Sequence, residues 1–184
     1  VRDTCGLEVD VLSGEREAQM GLCGALGNSD GGIIDVGGAS TEVTLRVNGK
    51  ITYSYSAPIG TVRILDASGR NLENIKKFIA ERTGAYGEHD FSQYKMYAVG
   101  GTATRLAAIR YGITEYDAQA LHGRALTLRE VEHFSELLTQ LSVEEIRRTT
   151  ICTKSADLIG GGAALLAAVM KHFKVGEITV SDSD

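Results

Sequence analysis

Residues 32–57 hold three strand-forming runs, 32–37, 41–47 and 51–57, joined by turns so short that the chain must double back at each. Asn48-Gly49 between the second and third is a strong signal for a two-residue hairpin, because both positions of such a turn need left-handed backbone. In the second run Val43, Leu45 and Val47 alternate with Glu42, Thr44 and Arg46, so the alternation predicts one buried face. Pro58, the only proline, ends the third run. An antiparallel meander of three strands therefore starts the sheet, and the rest of the chain must pack on it.

The flanking segments supply helices and further strands. Residues 7–12, LEVDVL, alternate as a strand, and Ser13 opens a helix over GEREAQMGLCGAL that Gly27-Asn28 stops. Leu72, Ile75, Phe78 and Ile79 form one stripe of a helix. Residues 95–101 read as a buried strand, and the helix TATRLAAIRYG leaves it. Thr127 to Glu130 and Ser142 to Glu145 each have the spacing of a capping box. In the first of those helices Val131, Phe134, Leu138 and Leu141 share a face. A last helix is expected over 155–173 and a last strand over 177–182, whereas 114–126 reads as an irregular loop or lid. A meander followed by helix–strand alternation is α/β. It predicts a mixed, ribonuclease-H-like sheet in one domain over 1–184, the meander flanked by helices.

At 184 residues the chain can fill one core. A net charge of −5 lacks the basic stripe expected of a DNA- or membrane-binding surface. No apolar run is long enough to span a bilayer. Cys5, Cys23 and Cys152 form no CxxC pair and are too few for a disulfide framework, which suits packed or idle thiols in the cytoplasm. His89, His122, His133 and His172 are scattered and read as surface or core residues.

The chemistry concentrates where strands end in glycine. In GGIIDVGGASTEV (31–43), Gly37-Gly38 follow Asp35 after one residue, and a turn this lean lets backbone N–H groups line an anion site. Asp35 would sit at the strand end, suited to a water on Mg²⁺, and Glu42 lies two residues into the returning strand. A plain glycine-rich turn with a solvated acid would leave the same pattern. Gly100-Gly101-Thr102 repeats the arrangement at a strand-to-helix junction, where a helix N-terminus offers donors, although Thr102 also fits a simple N-cap. Two such turns could serve one anionic ligand. The helix dipole accounts for Glu15, and Glu17, one turn further in, is a candidate general base. Gly160-Gly161-Gly162 falls where a helix should continue and points to close packing of backbones rather than a break.

The motifs VLSGEREA (11–18), IIDVGGASTEV (33–43), APIGTVRI (57–64), AVGGTATRLAAI (98–109) and ADLIGGGAALLAAVMKHFKVGEITVSD (156–182) together resemble the exopolyphosphatase and guanosine pentaphosphate phosphatase family. That family shares the fold of the actin-like ATPase superfamily. The resemblance covers essentially the whole chain. It implies the second of two ribonuclease-H-like domains that face each other across a cleft, with the N-terminal domain and its own phosphate loop missing in cis. It implies Glu17 as the catalytic glutamate that activates water, and Asp35 and Glu42 beside Mg²⁺. The turn Gly37, Gly38, Ala39, Ser40 and the turn Gly100, Gly101, Thr102 would hold phosphate.

The activity so implied is hydrolysis of terminal phosphoanhydride bonds, releasing orthophosphate from inorganic polyphosphate or guanosine pentaphosphate in the cytoplasm. Two departures stand out. Ala39 replaces the family's usual third glycine, as in apyrase-type nucleotidases, and Ser155 stands where the family tends to have Arg. Alternative readings are a phosphate- or nucleotide-sensing domain without turnover, and an apyrase-like nucleotide hydrolase. An isolated second domain would be expected to fold, to hydrolyse poorly and to leave a surface on which a homodimer could form.

Overall fold

A computed structural model describes residues 5–6, 14–149 and 155–182, with the side chains of Glu15, Glu17 and Thr149 outside that description. The strand expected over 7–12 and Cys152 also lie outside it. Strands β1 (Gly31–Val36), β2 (Thr41–Val47) and β3 (Lys50–Ala57) form the expected meander. Asn48 and Gly49 adopt φ of 52° and 72°, as the hairpin turn demands. The Asp30 carboxylate accepts the N–H groups of Asn48 (2.6 Å) and Gly49 (3.0 Å), which holds its pKa below the usual carboxylate range.

β4 (Met96–Val99) joins β1 in parallel, β6 (Glu177–Val180) joins β4 in parallel, and short β5 (Ala125–Thr127) closes the edge antiparallel to β6. Among the described residues the six strands run in the order β3-β2-β1-β4-β6-β5. This mixed sheet agrees with the expectation from sequence. The helices are α1 (Gly14–Leu26), α2 (Thr61–Ser68), α3 (Leu72–Thr83), α4 (Gly100–Tyr111), α5 (Ala118–Leu121), α6 (Leu128–Gln140), α7 (Val143–Thr149) and α8 (Ile159–His172).

Side-chain alternation splits the sheet into two faces. Ile34, Val36, Val43 and Leu45 face the main core with α8, whereas Ile33 and Val99 face Leu22 and Ala25 of α1. The sequence predicted one buried face for β2, but both are covered. Thr44 is 2% exposed and Arg46 9% because α1 lies over them. Arg46 donates from Nε to the Ser29 carbonyl (3.1 Å) and from Nη2 to that of Gly27 (2.8 Å), pinning the C-terminal end of α1 near the start of β1.

α8 is apolar almost all round and buried along most of its length, as the central helix of a core must be. Its glycines do what the sequence suggested, each admitting neighbours. A Cβ on Gly160 would stand 3.1 Å from the Thr139 nitrogen of α6, and one on Gly161 would stand 3.1 Å from Ile64 Cγ2 of α2. One on Gly162 would stand 2.8 Å from Thr102 Oγ1 and 3.1 Å from Thr61 Cγ2. No helix among the described residues is long and apolar enough to cross a membrane.

Residues 114–126 are more ordered than expected. The Asp117 carboxylate caps α5 by accepting from Gln119 N (2.9 Å) and Ala120 N (3.1 Å), and Gly123 and Arg124 pair with Val180 before β5 begins. Pairing to a strand so distant in sequence leaves no local periodicity to read. Cys5 and Cys23 are exposed free thiols rather than packed ones. α4 begins at Gly100 and α8 at Ile159, so their starts differ from the sequence estimate.

Both capping boxes form. Thr127 Oγ1 accepts from Glu130 N (3.3 Å), and Glu130 Oε2 accepts from Thr127 N (2.9 Å). Arg110 Nε also donates to Glu130, and that bond is the main reason its carboxyl falls from its ordinary 4.5 to about 2. A carboxyl whose pKa is depressed in the folded state stabilises above its unfolded pKa and loses that contribution as pH falls through the folded value. Denaturation followed from pH 6 to 2 is therefore expected to show wild-type stability falling below about pH 4.5 more steeply than that of Glu130→Gln. Thr127→Ala should cost about 1 kcal/mol of stability at neutral pH.

Candidate active site

The turn from β1 to β2 is held from behind. Gly37 N donates to the Ser40 carbonyl (3.0 Å), closing the turn. The first N–H groups of α2 then grip its outer carbonyls, Thr61 N to Gly37 O and Val62 N to Gly38 O, both at 2.9 Å. Gly60 makes this approach possible. A Cβ there would lie 2.4 Å from the Gly38 carbonyl carbon and oxygen. Gly60 has φ of −147° and ψ of 172°, so it is glycine for space and not for conformation.

Thr41 completes the support, its hydroxyl donating to the Ile59 carbonyl (2.7 Å) while its own carbonyl accepts from the Tyr86 hydroxyl (3.0 Å). Burial pushes the pKa of that tyrosine up, so it remains a donor. With the carbonyls of Gly37 and Gly38 engaged, the N–H groups of Gly38, Ala39 and Ser40 have no acceptor among the described residues. The N–H of Gly37, expected from sequence to face a ligand, is spent on closing the turn.

The second turn starts α4. Val99 occupies the N-cap without a side-chain cap, which leaves the first N–H groups of the helix open at the C-terminal end of β4. Gly100 has φ of +80°, and a Cβ on it would meet Asp35 Oδ1 at 3.0 Å. Thr102 lies inside the first turn of the helix and packs over Gly162, so it is not the N-cap.

The parallel register puts Asp35 beside Val99, and this brings the two glycine turns together. Between them lies a cleft of about 370 Å³. Asp35, Gly37 and Gly38 form one wall, Gly100, Gly101 and Thr102 the other, and Leu158 and Ile159 lead into α8 behind them. Ala39, Ser40 and Glu42 do not line the cleft. Glu42 is the cross-strand partner of Asp35 on β2, at a spacing where paired side chains have Cβ atoms ~5 Å apart. Its carboxylate accepts a hydrogen bond from the Ser56 hydroxyl on β3.

No group of three or more His, Cys, Asp and Glu suited to a metal occurs among the described residues. Two neighbouring carboxylates beside an anion cleft nonetheless fit Mg²⁺, which takes one or two protein carboxylates and fills its remaining positions with water and ligand phosphate.

α1 runs along the same face as Asp35. A Cβ on Gly21 would meet Ile33 Cδ1 at 2.9 Å, and Arg46 fixes the far end of the helix. One turn N-terminal to Gly21 is Glu17, ~5.4 Å along the axis. Two residues beyond Ile33 is Asp35, ~6.7 Å along the strand. The backbone thus carries Glu17 toward the Asp35 end of the sheet.

Two contributors were not singled out in the sequence. Gly60 lies in the APIGTVRI motif, but its role did not show there because its steric partner is in a different turn. Arg105, half-buried on the cleft wall, did leave one: a basic residue four positions after Gly101, one helical turn from the glycine pair.

Comparison with known proteins gives the family and the fold. A family model described as "Ppx/GppA phosphatase family" matches residues 1–183. A "Bifunctional 3-dehydroquinate synthase/phosphatase" of Fusobacterium nucleatum is 26% identical, the match covering 100% of this chain and 30% of that protein. "Exopolyphosphatase 2" of Mycobacterium tuberculosis is 28% identical over 97% of this chain and 62% of its own length. The crystal structure of the Aquifex aeolicus Ppx/GppA family member superposes with a TM-score of 0.84 at 23% identity, covering 99% of this chain and 63% of that one. The chain thus spans less than two thirds of each of these relatives. With the family model matched over nearly every residue, and glycine turns meeting at one cleft, the chain belongs to the Ppx/GppA phosphatase family.

Proposed function

We propose that this chain is the second domain of a phosphoanhydride hydrolase that releases orthophosphate from the end of inorganic polyphosphate or guanosine pentaphosphate. The observation that carries the reading is the convergence of two glycine turns on one cleft with Asp35 between them. The N–H group of Gly38 and those at the start of α4, which line the cleft, bind the outer oxygens of the terminal phosphate. The dipole of α4 adds to their attraction. These donors are fixed before substrate arrives, because α2 and Tyr86 already hold the first turn.

In-line attack places water opposite the leaving phosphate. Glu17 takes the proton from that water as it attacks, and the phosphoanhydride oxygen departs with the rest of the chain. Asp35, with Glu42 beside it, holds Mg²⁺. The cation, when bound, neutralises charge on the phosphate oxygens. A first domain facing the cleft supplies the remaining phosphate contacts.

The test is phosphate release by the full-length protein with Mg²⁺, offered polyphosphate, guanosine pentaphosphate and ADP. Release from either of the first two, with ADP inert, is the expected result. Preference for ADP would favour an apyrase-like hydrolase, and binding without release a sensing domain. Glu17→Gln should lower turnover roughly 100-fold or more while leaving tripolyphosphate binding in place.

A further inference from the structure

Arg105 plays no part in the chemistry above, yet it lines the same cleft. Its guanidinium is folded back over Gly101: a Cβ on that glycine would stand 2.7 Å from Nη1 and 3.2 Å from Cζ. Three other buried or half-buried arginines are satisfied by the protein itself. Arg46 donates to the carbonyls of Gly27 and Ser29, Arg70 to those of Leu138 and Leu141, and Arg82 to that of Phe78. Among the described residues, no carboxylate or carbonyl accepts from Arg105.

A guanidinium taken partly out of water without a counter-ion is costly, and its five-donor fork matches phosphate oxygens. The same cleft lining holds Asp35 and the hydroxyl-bearing Thr61 and Thr102, and among the described residues none of them accepts a hydrogen bond from Arg105. An anion that reaches past a single phosphate held by the turns would supply the missing acceptors.

We propose that Arg105 is a substrate-binding residue that grips the phosphate next to the one being released, so that the cleft prefers a phosphate chain to a single phosphate. The inference rests on the reading of the two turns as the grip on the terminal phosphate. Arg105 stands one helical turn beyond Gly101 on the same wall. Charge-assisted, bidentate contact there adds affinity only for ligands that extend that far.

The experiment uses the full-length protein and its Arg105→Ala and Arg105→Lys variants. Tripolyphosphate and orthophosphate binding are measured by calorimetry, and phosphate release from polyphosphate is measured alongside. In Arg105→Ala, tripolyphosphate affinity and 1/KM are expected to fall roughly 10-fold or more, while orthophosphate affinity changes less than roughly threefold. Arg105→Lys should recover part of the loss. The thermal midpoint should stay close to the wild-type value, since among the described residues no hydrogen bond or ion pair of Arg105 is removed.

Unchanged tripolyphosphate affinity, or an equal loss for orthophosphate, overturns the assignment. A wild-type protein that binds tripolyphosphate but releases no phosphate from any phosphoanhydride refutes the hydrolase reading alone, and the binding comparison still decides the role of Arg105. A wild-type protein that binds no tripolyphosphate refutes both.

Discussion

Gly60→Ala in the full-length protein is expected to lower phosphate release roughly 100-fold while the same change at Gly84 leaves it untouched. The new methyl would stand 2.4 Å from the carbonyl carbon and oxygen of Gly38 and 2.6 Å from the nitrogen of Ala39. These are backbone atoms, which cannot swing aside as a side chain does. The turn must move by an appreciable fraction of an ångström, and the N–H grips of Thr61 and Val62 stretch with it.

Overpacking of this kind costs ~1–3 kcal/mol in stability. The larger consequence is that the Gly38 donor leaves the position proposed for a phosphate grip. At Gly84, φ is −59° and ψ −22°, and nothing lies within 4 Å of an added Cβ, so alanine fits there without strain. Parallel denaturation curves and phosphate-release rates check the pair. Full activity in Gly60→Ala would mean the turn is not the grip it is taken to be.

Asp35→Asn is expected to lower turnover at millimolar Mg²⁺ by roughly 100-fold or more, with the fold intact. Asparagine keeps the shape that fits against Gly100 but removes the charge that attracts a cation. It also relieves the like-charge pairing of Asp35 with Glu42 across β1 and β2. Glu42→Gln should do less damage, because Glu42 lies off the cleft lining and already shares its carboxylate with Ser56. Titrating Mg²⁺ against phosphate release separates the two variants: the concentration for half-maximal rate should rise further for Asp35→Asn. Equal dependence in wild type and Asp35→Asn would remove Asp35 from the metal site.

Local signals carried the meander well. Asn48-Gly49 dictates its hairpin through backbone conformation alone, and Thr127 with Glu130 defines a helix start within four residues. The triglycine at 160–162 was readable as close packing because three glycines in a row inside a helix cost stability unless neighbours press against them, although at Gly161 and Gly162 those neighbours are side chains rather than backbones. What sequence could not show depends on meetings between distant segments. Arg46 looks like a solvent-facing residue of β2 until α1 is placed over it. Residues 114–126 look irregular because their order comes from Val180 and from the Asp117 cap. In the site, both glycine turns were visible, but that Gly37 closes its own turn, and that Gly60 backs it, follows only from the fold. The position of Arg105 could have been noticed from its spacing to Gly101; its lack of a partner could not.

Thr61 and Thr102, from the opening turns of α2 and α4, both come to rest on Gly162. One of those helices buttresses the first glycine turn and the other carries the second, so the jaws of the proposed anion grip share a single seat. Their aperture is set by the absence of one carbon atom on the buried helix beneath. A residue larger than glycine at that seat would wedge both jaws at once, without touching anything that binds.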